Sequence, residues 1–381
     1  MKTTVRIGLE VACDEPPPRL REARAVGLLC NQASVDAQFT HAADRLHRLL
    51  GPRLAALFGP QHGLWSTEQD NMVETAHARH PRLGIPVHSL YSETRTPTPA
   101  MLAGLDLFVV DLQDVGTRVY TYVWTVVNCL RACAARGIPV LVLERPNPLG
   151  GEITEGAPLD LAFRSFVGGA AIPMRHGLTI GELAEFCNRE FGIGAELESV
   201  PLQGHDRAML WPETGRTWVP PSPNLPRFEG ALVYPGQVLL EGTNLSEGRG
   251  TTTPFEQFGA PWLDPHALLD AAAERALEPA FRGVTLRPVH FEPTFQKHAG
   301  RACGGLFLHV TDAATFRSLR TTTTLLRLIR TLWPDEFAWL PPPYEYETVK
   351  LPIDILSGST RLRAYVDGGA SSDAPEPFLA D

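Results

Sequence analysis

The sequence lacks both glycine fingerprints that cradle phosphates. No G-x-G-x-x-G follows its first apolar run, and no G-x-x-x-x-G-K-[ST] occurs anywhere. Both patterns work by turning backbone N–H groups and a helix N-terminus toward phosphate oxygens, so no dinucleotide or P-loop site is expected. Histidines, cysteines and carboxylates nowhere take ligand spacing such as H-E-x-x-H, and no metal or other cofactor is expected. No segment has the roughly 18 apolar residues of a membrane span. The start, M-K-T-T-V-R-I-G-L-E-V, holds no apolar core of signal-peptide length before Asp14. A cytoplasmic protein without a membrane partner is the expectation. The six cysteines form no disulfide framework, and Cys129 and Cys133, four apart on a helix-length segment, read as small buried apolar residues. Positive charge is not in excess either. The formal net charge is −9 and basic residues are scattered, which excludes the basic face a nucleic-acid partner would need. There is no internal repeat.

What is present is a chain of 381 residues with 34 prolines spread along it. That length exceeds what one core usually covers, so two domains are expected, over residues 1–195 and 196–381. The organising stretch runs from Leu105 to Asn147. An apolar run, Leu107 to Leu112, ends in Gln113-Asp114. A helix-length segment from Tyr120 to Arg136 follows, and a second apolar run, Val140 to Leu143, ends in Glu144-Arg145-Pro146-Asn147. Continuous apolar runs joined by a helix predict a parallel βαβ unit, because strands covered on both faces need no alternation. Further strands are predicted at Ala25 to Cys30, Leu54 to Phe58, Val87 to Leu90 and Ile172 to Met174. Helices are predicted over Thr40 to Leu50, Thr98 to Ala103 and, capped by Thr179 with Glu182 in capping-box register, Ile180 to Phe191. The fold class is α/β: a Rossmann-like, doubly wound parallel sheet followed by a smaller α+β domain. In the second half, helices are predicted over His266 to Leu277 and Thr315 to Leu332, and strands over Val284 to Phe291 and Gly305 to Val310. A mobile tail is expected after Gly368.

Nearly every predicted strand of the first half stops at a polar cluster. Asn31-Gln32, Gln61-His62, Glu93-Arg95, Gln113-Asp114, Glu144-Arg145-Asn147 and Arg175-His176 recur in this way, as if lining one crevice outside the carboxyl ends of the strands, where open α/β sheets bind ligands. Each cluster also has a plainer reading. Asp114 before Val115-Gly116 either touches a ligand or makes a turn hydrogen bond. Glu144 and Arg145 either form a salt bridge buttressing the strand end, or Arg145 holds a substrate anion. His62, in G-P-Q-H-G, is either functional or structural. If the central helix starts early enough, Arg118 and Tyr122 stand one turn apart on one face; otherwise Tyr122 is a core residue with a tethered hydroxyl. Downstream, Asn244, Ser246, Glu247 and Arg249 fall in a long Gly- and Thr-rich loop whose length favours function. Tyr344-Glu345-Tyr346-Glu347 offers aromatic faces and carboxylates.

These motifs together carry a family resemblance. N-Q-A-S-V-D, F-G-P-Q-H-G, S-L-Y-S-E-T-R-T-P-T, D-L-Q-D-V-G-T-R-V-Y-T-Y, E-R-P-N-P-L-G-G, P-M-R-H-G-L-T-I-G-E-L, E-G-T-N-L-S-E-G-R-G-T-T-T-P-F-E-Q-F-G-A-P-W and P-Y-E-Y-E occur in order over roughly residues 25 to 360. The chain so resembles the exo-β-N-acetylmuramidase family of NamZ type. The resemblance implies a Rossmann-like N-terminal domain, a smaller C-terminal domain, an active cleft between them, and release of N-acetylmuramic acid from peptidoglycan fragments. The expected partner is a small amino-sugar or muropeptide ligand. The family's muramidases carry Glu at the position of Gln61, and that Glu is the expected catalytic acid; they have Q-A-G-E where this chain has Gln69-Asp70-Asn71-Met72. An amide donates no acid proton, so the resemblance leaves the acid role to a neighbour, Glu68, Asp70 or Glu74. The catalytic candidates are Glu68, Asp114, Glu144 and His62. The substrate-binding candidates are Asn31, Gln61, Arg118, Tyr122, Arg145, Asn147, Arg175, His176, Asn244 and Arg249, with Arg145, Arg175 and Arg249 competing for the lactyl carboxylate of muramic acid.

Overall fold

A computed structural model describes residues 4–70 and 72–368. The tail expected to be mobile, and Asn71, lie outside the described residues. Two compact units divide the chain. The first gathers residues 1–116, 120–152 and 177–223, the second 117–119, 153–176 and 224–381.

The first unit is built on a seven-stranded sheet: β1 Val26–Cys30, β2 Leu54–Gly59, β3 Ala78–Arg79, β4 Pro86–Ser89, β5 Leu107–Asp111, β6 Val140–Leu143 and β7 Leu197–Val200. The order across the sheet is β3-β4-β2-β1-β5-β6-β7, and only β3, at the edge, runs antiparallel. With β3 set aside, the parallel strands run third, second, first, fourth, fifth, sixth, the strand order of a dinucleotide-binding fold, here without its glycine fingerprint. Its switch point lies between β1 and β5, which pair in register from Val26↔Leu107 to Cys30↔Asp111. All five residues of β1, all five of β5 and all four of β6 are buried. That is why they read as unbroken apolar runs.

Helices α1 Gly8–Asp14, α2 Pro18–Glu22, α3 Ala42–Leu50, α4 Tyr122–Ala134 and α5 Ile180–Glu190 complete this unit. Leu9, Leu20, Leu46 and Leu50 from three of them join Val26, Leu28, Leu57 and Val109 in one apolar cluster. The predicted cap of α5 is present: Thr179 accepts from the Glu182 N–H, and Glu182 accepts from the Thr179 N–H at 2.9 Å.

Three sequence expectations are corrected here. The segment from Ile172 to Met174 forms no strand; around it Arg175 makes only isolated bridges to Thr117 and Glu155. The last strand is β7, which the sequence reading missed because its Glu198 and Ser199 are exposed at the sheet edge. β7 lies after residue 195 yet pairs with β6, so the first unit runs past the expected boundary. Thr98 to Ala103 forms turns, not a helix.

The second unit holds a three-stranded antiparallel sheet, β8 Gln257–Ala260, β9 Val284–Phe291 and β10 Cys303–Val310, with β10 central. Around it lie α6 Phe228–Gln237, α7 Pro265–Glu274, α8 Ser318–Leu332, α9 Pro352–Ser357 and α10 Arg361–Asp367. Among the described residues no helix is long and apolar enough to cross a membrane.

Candidate active site

The parallel strands of the first unit all present their carboxyl ends at one edge, so the polar clusters after β1, β2, β5 and β6 share it. The Pro221 carbonyl joins two of them. It accepts from Asn31 Nδ2 at 2.8 Å and from the Tyr122 hydroxyl at 2.5 Å, and Asn31 Nδ2 also donates to that hydroxyl at 2.7 Å. Burial pushes the Tyr122 hydroxyl up to about 12, so it stays protonated and donating at neutral pH. Next to Tyr122 in sequence, Thr121 donates to Gln61 Oε1 at 2.6 Å. His62 lies 3.4 Å from the Ser222 hydroxyl through Nε2, while Nδ1 lies 2.7 Å from the Glu68 carbonyl. Asn31, Gln61, His62 and Tyr122 therefore belong to one buried polar cluster.

His62 adopts φ +69, a left-handed conformation that non-glycine residues seldom take and that gathers at functional sites. Just before it, a Cβ on Gly59 would come within 2.8 Å of the Leu64 nitrogen. The G-P-Q-H-G turn is tight because its first residue has no side chain.

Glu144 forms a second locus. Its carboxylate accepts from Thr179 Oγ1 at 3.0 Å and from the Gly181 N–H at 3.3 Å, at the N-terminus of α5. The approach requires a glycine, since a Cβ on Gly181 would sit 2.2 Å from Glu144 Oε1. Burial raises the carboxyl to about 7; the bonds from Thr179 and Gly181 oppose that rise without cancelling it. Glu144 lines a cavity of about 180 Å³ with Asn147, Thr179, His205 and Arg207. Asn147 donates to the Leu178 carbonyl at 3.0 Å and accepts from the Leu149 N–H at 2.9 Å.

Asp114 takes the turn reading at one oxygen: Oδ2 accepts from the Gly116 N–H at 2.7 Å. Arg145 does not pair with Glu144. It makes a two-pronged bond to Asp111, Nε to Oδ1 at 2.5 Å and Nη2 to Oδ2 at 2.9 Å, with both side chains buried. The adjacent pair suggested by the sequence fails because Glu144 and Arg145, as neighbours on an extended chain, point to opposite faces.

Arg118, Arg175, His176, Asn244 and Arg249 lie in the second unit. Arg118 precedes α4, so the helical pairing with Tyr122 does not form. It is fully buried and donates to the carbonyls of Ile172 at 3.0 Å and Leu356 at 2.9 Å, and burial pulls it down to about 10. Arg175 is buried against Glu155, and His176 is buried beside it. Asn244 ties two chain segments together, donating to Glu336 O and accepting from the Ala338 N–H. Arg249 donates to Glu241 at 2.7 Å and Glu247 at 2.8 Å. Lys297 also donates to Glu247, and Tyr344 to Glu241. Burial works against ionising Glu247, yet Lys297 and Arg249 outweigh it and hold the carboxyl below its ordinary range. A guanidinium shared by two buried carboxylates is neutralised already, which argues against Arg249 as a clamp for a substrate anion.

Two family models cover almost the whole chain: exo-β-N-acetylmuramidase NamZ, N-terminal, over residues 26–229, and its C-terminal counterpart over 232–377. The chain belongs to the NamZ family. It is 39% identical over 370 residues to the peptidoglycan β-N-acetylmuramidase NamZ of Bacillus subtilis (strain 168), a match spanning 97% of this chain and 86% of that protein. Two solved structures of DUF1343 family proteins from Bacteroides fragilis NCTC 9343 are also similar. One aligns with a TM-score of 0.83 at 31% identity over 94% of this chain and 90% of its own. The other has a TM-score of 0.71 at 26% identity over 97% and 93%. As a NamZ-family chain it is related to peptidoglycan glycosidases.

Reading the sequence missed Thr121, Pro221 and Ser222 of this NamZ-family chain. The W-V-P-P-S-P-N stretch signals the last two faintly. Ser222 stands between two prolines, and a proline-rich extended segment presents carbonyls that no local helix or strand uses.

Proposed function

We propose that this chain is an exo-acting glycosidase releasing a terminal amino sugar, N-acetylmuramic acid or a close relative, from peptidoglycan-derived fragments. The observation that carries the reading is the buried polar cluster of Asn31, Gln61, His62 and Tyr122 at the carboxyl edge of the sheet, in a chain of the NamZ family. Glycoside hydrolysis needs one carboxylic acid to protonate the leaving oxygen and a second group to stabilise or attack the sugar. Gln61 supplies an amide, suited to hydrogen-bonding a sugar substituent. In our reading the acid is Glu68, half-buried and tied through its backbone carbonyl to His62, with Asp114 or Glu144 as the second carboxylate. Glu68→Gln is expected to lower release of free N-acetylmuramic acid from N-acetylmuramyl-N-acetylglucosamine by about a hundredfold or more, the usual loss for a general acid. Unchanged turnover in that variant would remove Glu68 from the role.

Gln61 also favours a second reading, an amino-sugar-binding protein of the same fold without turnover. Calorimetry showing that the disaccharide binds, with no free sugar appearing over hours, supports it. Turnover gained by Gln61→Glu alone would strengthen it.

A further inference from the structure

Within the first unit a second pocket lies at the switch point of the sheet. It has a volume of about 260 Å³ and is lined by segments following β1 and β5, by Arg145 after β6, and by residues between Trp211 and Val219. None of Asn31, Gln61, His62, Tyr122 or Glu144 lines it.

Its chemistry is unbalanced toward donors. Arg145 commits Nε and Nη2 to Asp111 and the Val35 carbonyl. Arg216 commits only Nη1, to the Val5 carbonyl and Glu10. That leaves Nη1 of Arg145 and Nε and Nη2 of Arg216 without a partner among the described residues, and none is sealed from solvent. One further lining residue holds a buried donor that lacks a partner, Nε1 of Trp211, against one such acceptor, Oε1 of Gln113. The one carboxylate in the wall, Asp36, is already saturated by Arg45 and the N–H groups of Gln38 and Thr40. Burial pulls the Arg216 guanidinium below its ordinary pKa, Glu10 resists, and the charge of Arg145 adds to the pull. Asp111, the partner of Arg145, opposes that pull. Val35, Ala37 and Phe39 give the pocket an apolar side, and Phe39 is held there 59% exposed at φ +59, a conformation that costs free energy for an aromatic residue.

We propose that this pocket binds the carboxylate of a small organic acid, its oxygens on the open nitrogens of Arg145 and Arg216 and its carbon body against Phe39. Arg216, paired with Glu10 through Nη1 alone, keeps the planar fork of Nε and Nη2 that matches a carboxylate in a two-point bond, and Nη1 of Arg145 adds a single donor beside its pair with Asp111. The apolar wall favours an organic acid over inorganic phosphate. The inference does not depend on glycosidase activity.

The test is a ligand-observed NMR titration of the whole protein with lactate, with phosphate and chloride as comparison anions. Saturable lactate binding is expected, weakened about tenfold by Arg216→Met, the loss typical of one charge-assisted hydrogen bond. Arg216→Met leaves Glu10 unpaired and risks the fold, so Arg216→Lys is the companion: it keeps the charge and loses the fork, and weakening is expected there too. Lactate that fails to saturate beyond chloride, saturation by phosphate but not lactate, or an affinity unchanged in Arg216→Lys would each overturn the proposal.

Discussion

At the scale of single residues, Glu144 is the group whose protonation the fold alters most usefully. Its carboxyl rises from 4.5 to about 7 because burial penalises the anion. Below about pH 4.5 the group is neutral in both folded and unfolded chains, and its full contribution to stability is present. As pH climbs toward 7 the unfolded chain gives up the proton first, so stability is lost through that window and the loss is complete above it. Glu144→Gln does not titrate. The stability of the native chain relative to this variant should therefore fall by on the order of 3 kcal/mol between pH 5 and pH 8, as urea unfolding at the two pH values would report. A difference that stays flat with pH would mean that the Glu144 carboxyl is ionised throughout. Arg145 acts through geometry: its buried two-pronged bond to Asp111 fixes the end of β5 against that of β6.

At the scale of elements, α5 links local sequence to the candidate site. Thr179 caps the helix and also donates to Glu144, so Thr179→Ala removes two bonds with one hydroxyl. Loss of the cap costs about 1 kcal/mol, measurable as a lower urea midpoint, and loss of the donor to the carboxylate should move the Glu144 titration further up. An unchanged midpoint would mean that the cap carries no net stability. This cap was legible because S/T-x-x-E is a local signal. The strands β1, β2, β5 and β6 were legible because burial on both faces leaves a continuous apolar run. β7 was not, since its outer residues are exposed at the edge, and Ile172 to Met174 imitated a strand because a buried loop is apolar as well. The partners of the arginines were also beyond reading: Arg145 with Asp111 and Arg249 with Glu241 are joined by tertiary approach, which no spacing encodes. What local sequence did convey was the recurrence of polar residues at strand ends, and with it Asn31, Gln61 and His62, whereas Tyr122 stood out only at the start of the central helix.

At the scale of the whole molecule, the proposed glycosidase action rests on family membership together with the buried polar cluster, in which Gln61 places an amide in the turn after β2. His62 has a left-handed backbone, and Asn31 donates to the Tyr122 hydroxyl; in the proposed reading Gln61 holds the sugar and does not protonate it. Glycosidase action on an amino sugar is decided by incubating the purified chain with N-acetylmuramyl-N-acetylglucosamine and, separately, with the disaccharide of reversed order, and resolving the products by mass spectrometry. Free N-acetylmuramic acid is expected from the first and no cleavage of the second. Cleavage of neither, with no calorimetric sign that either binds, would contradict it.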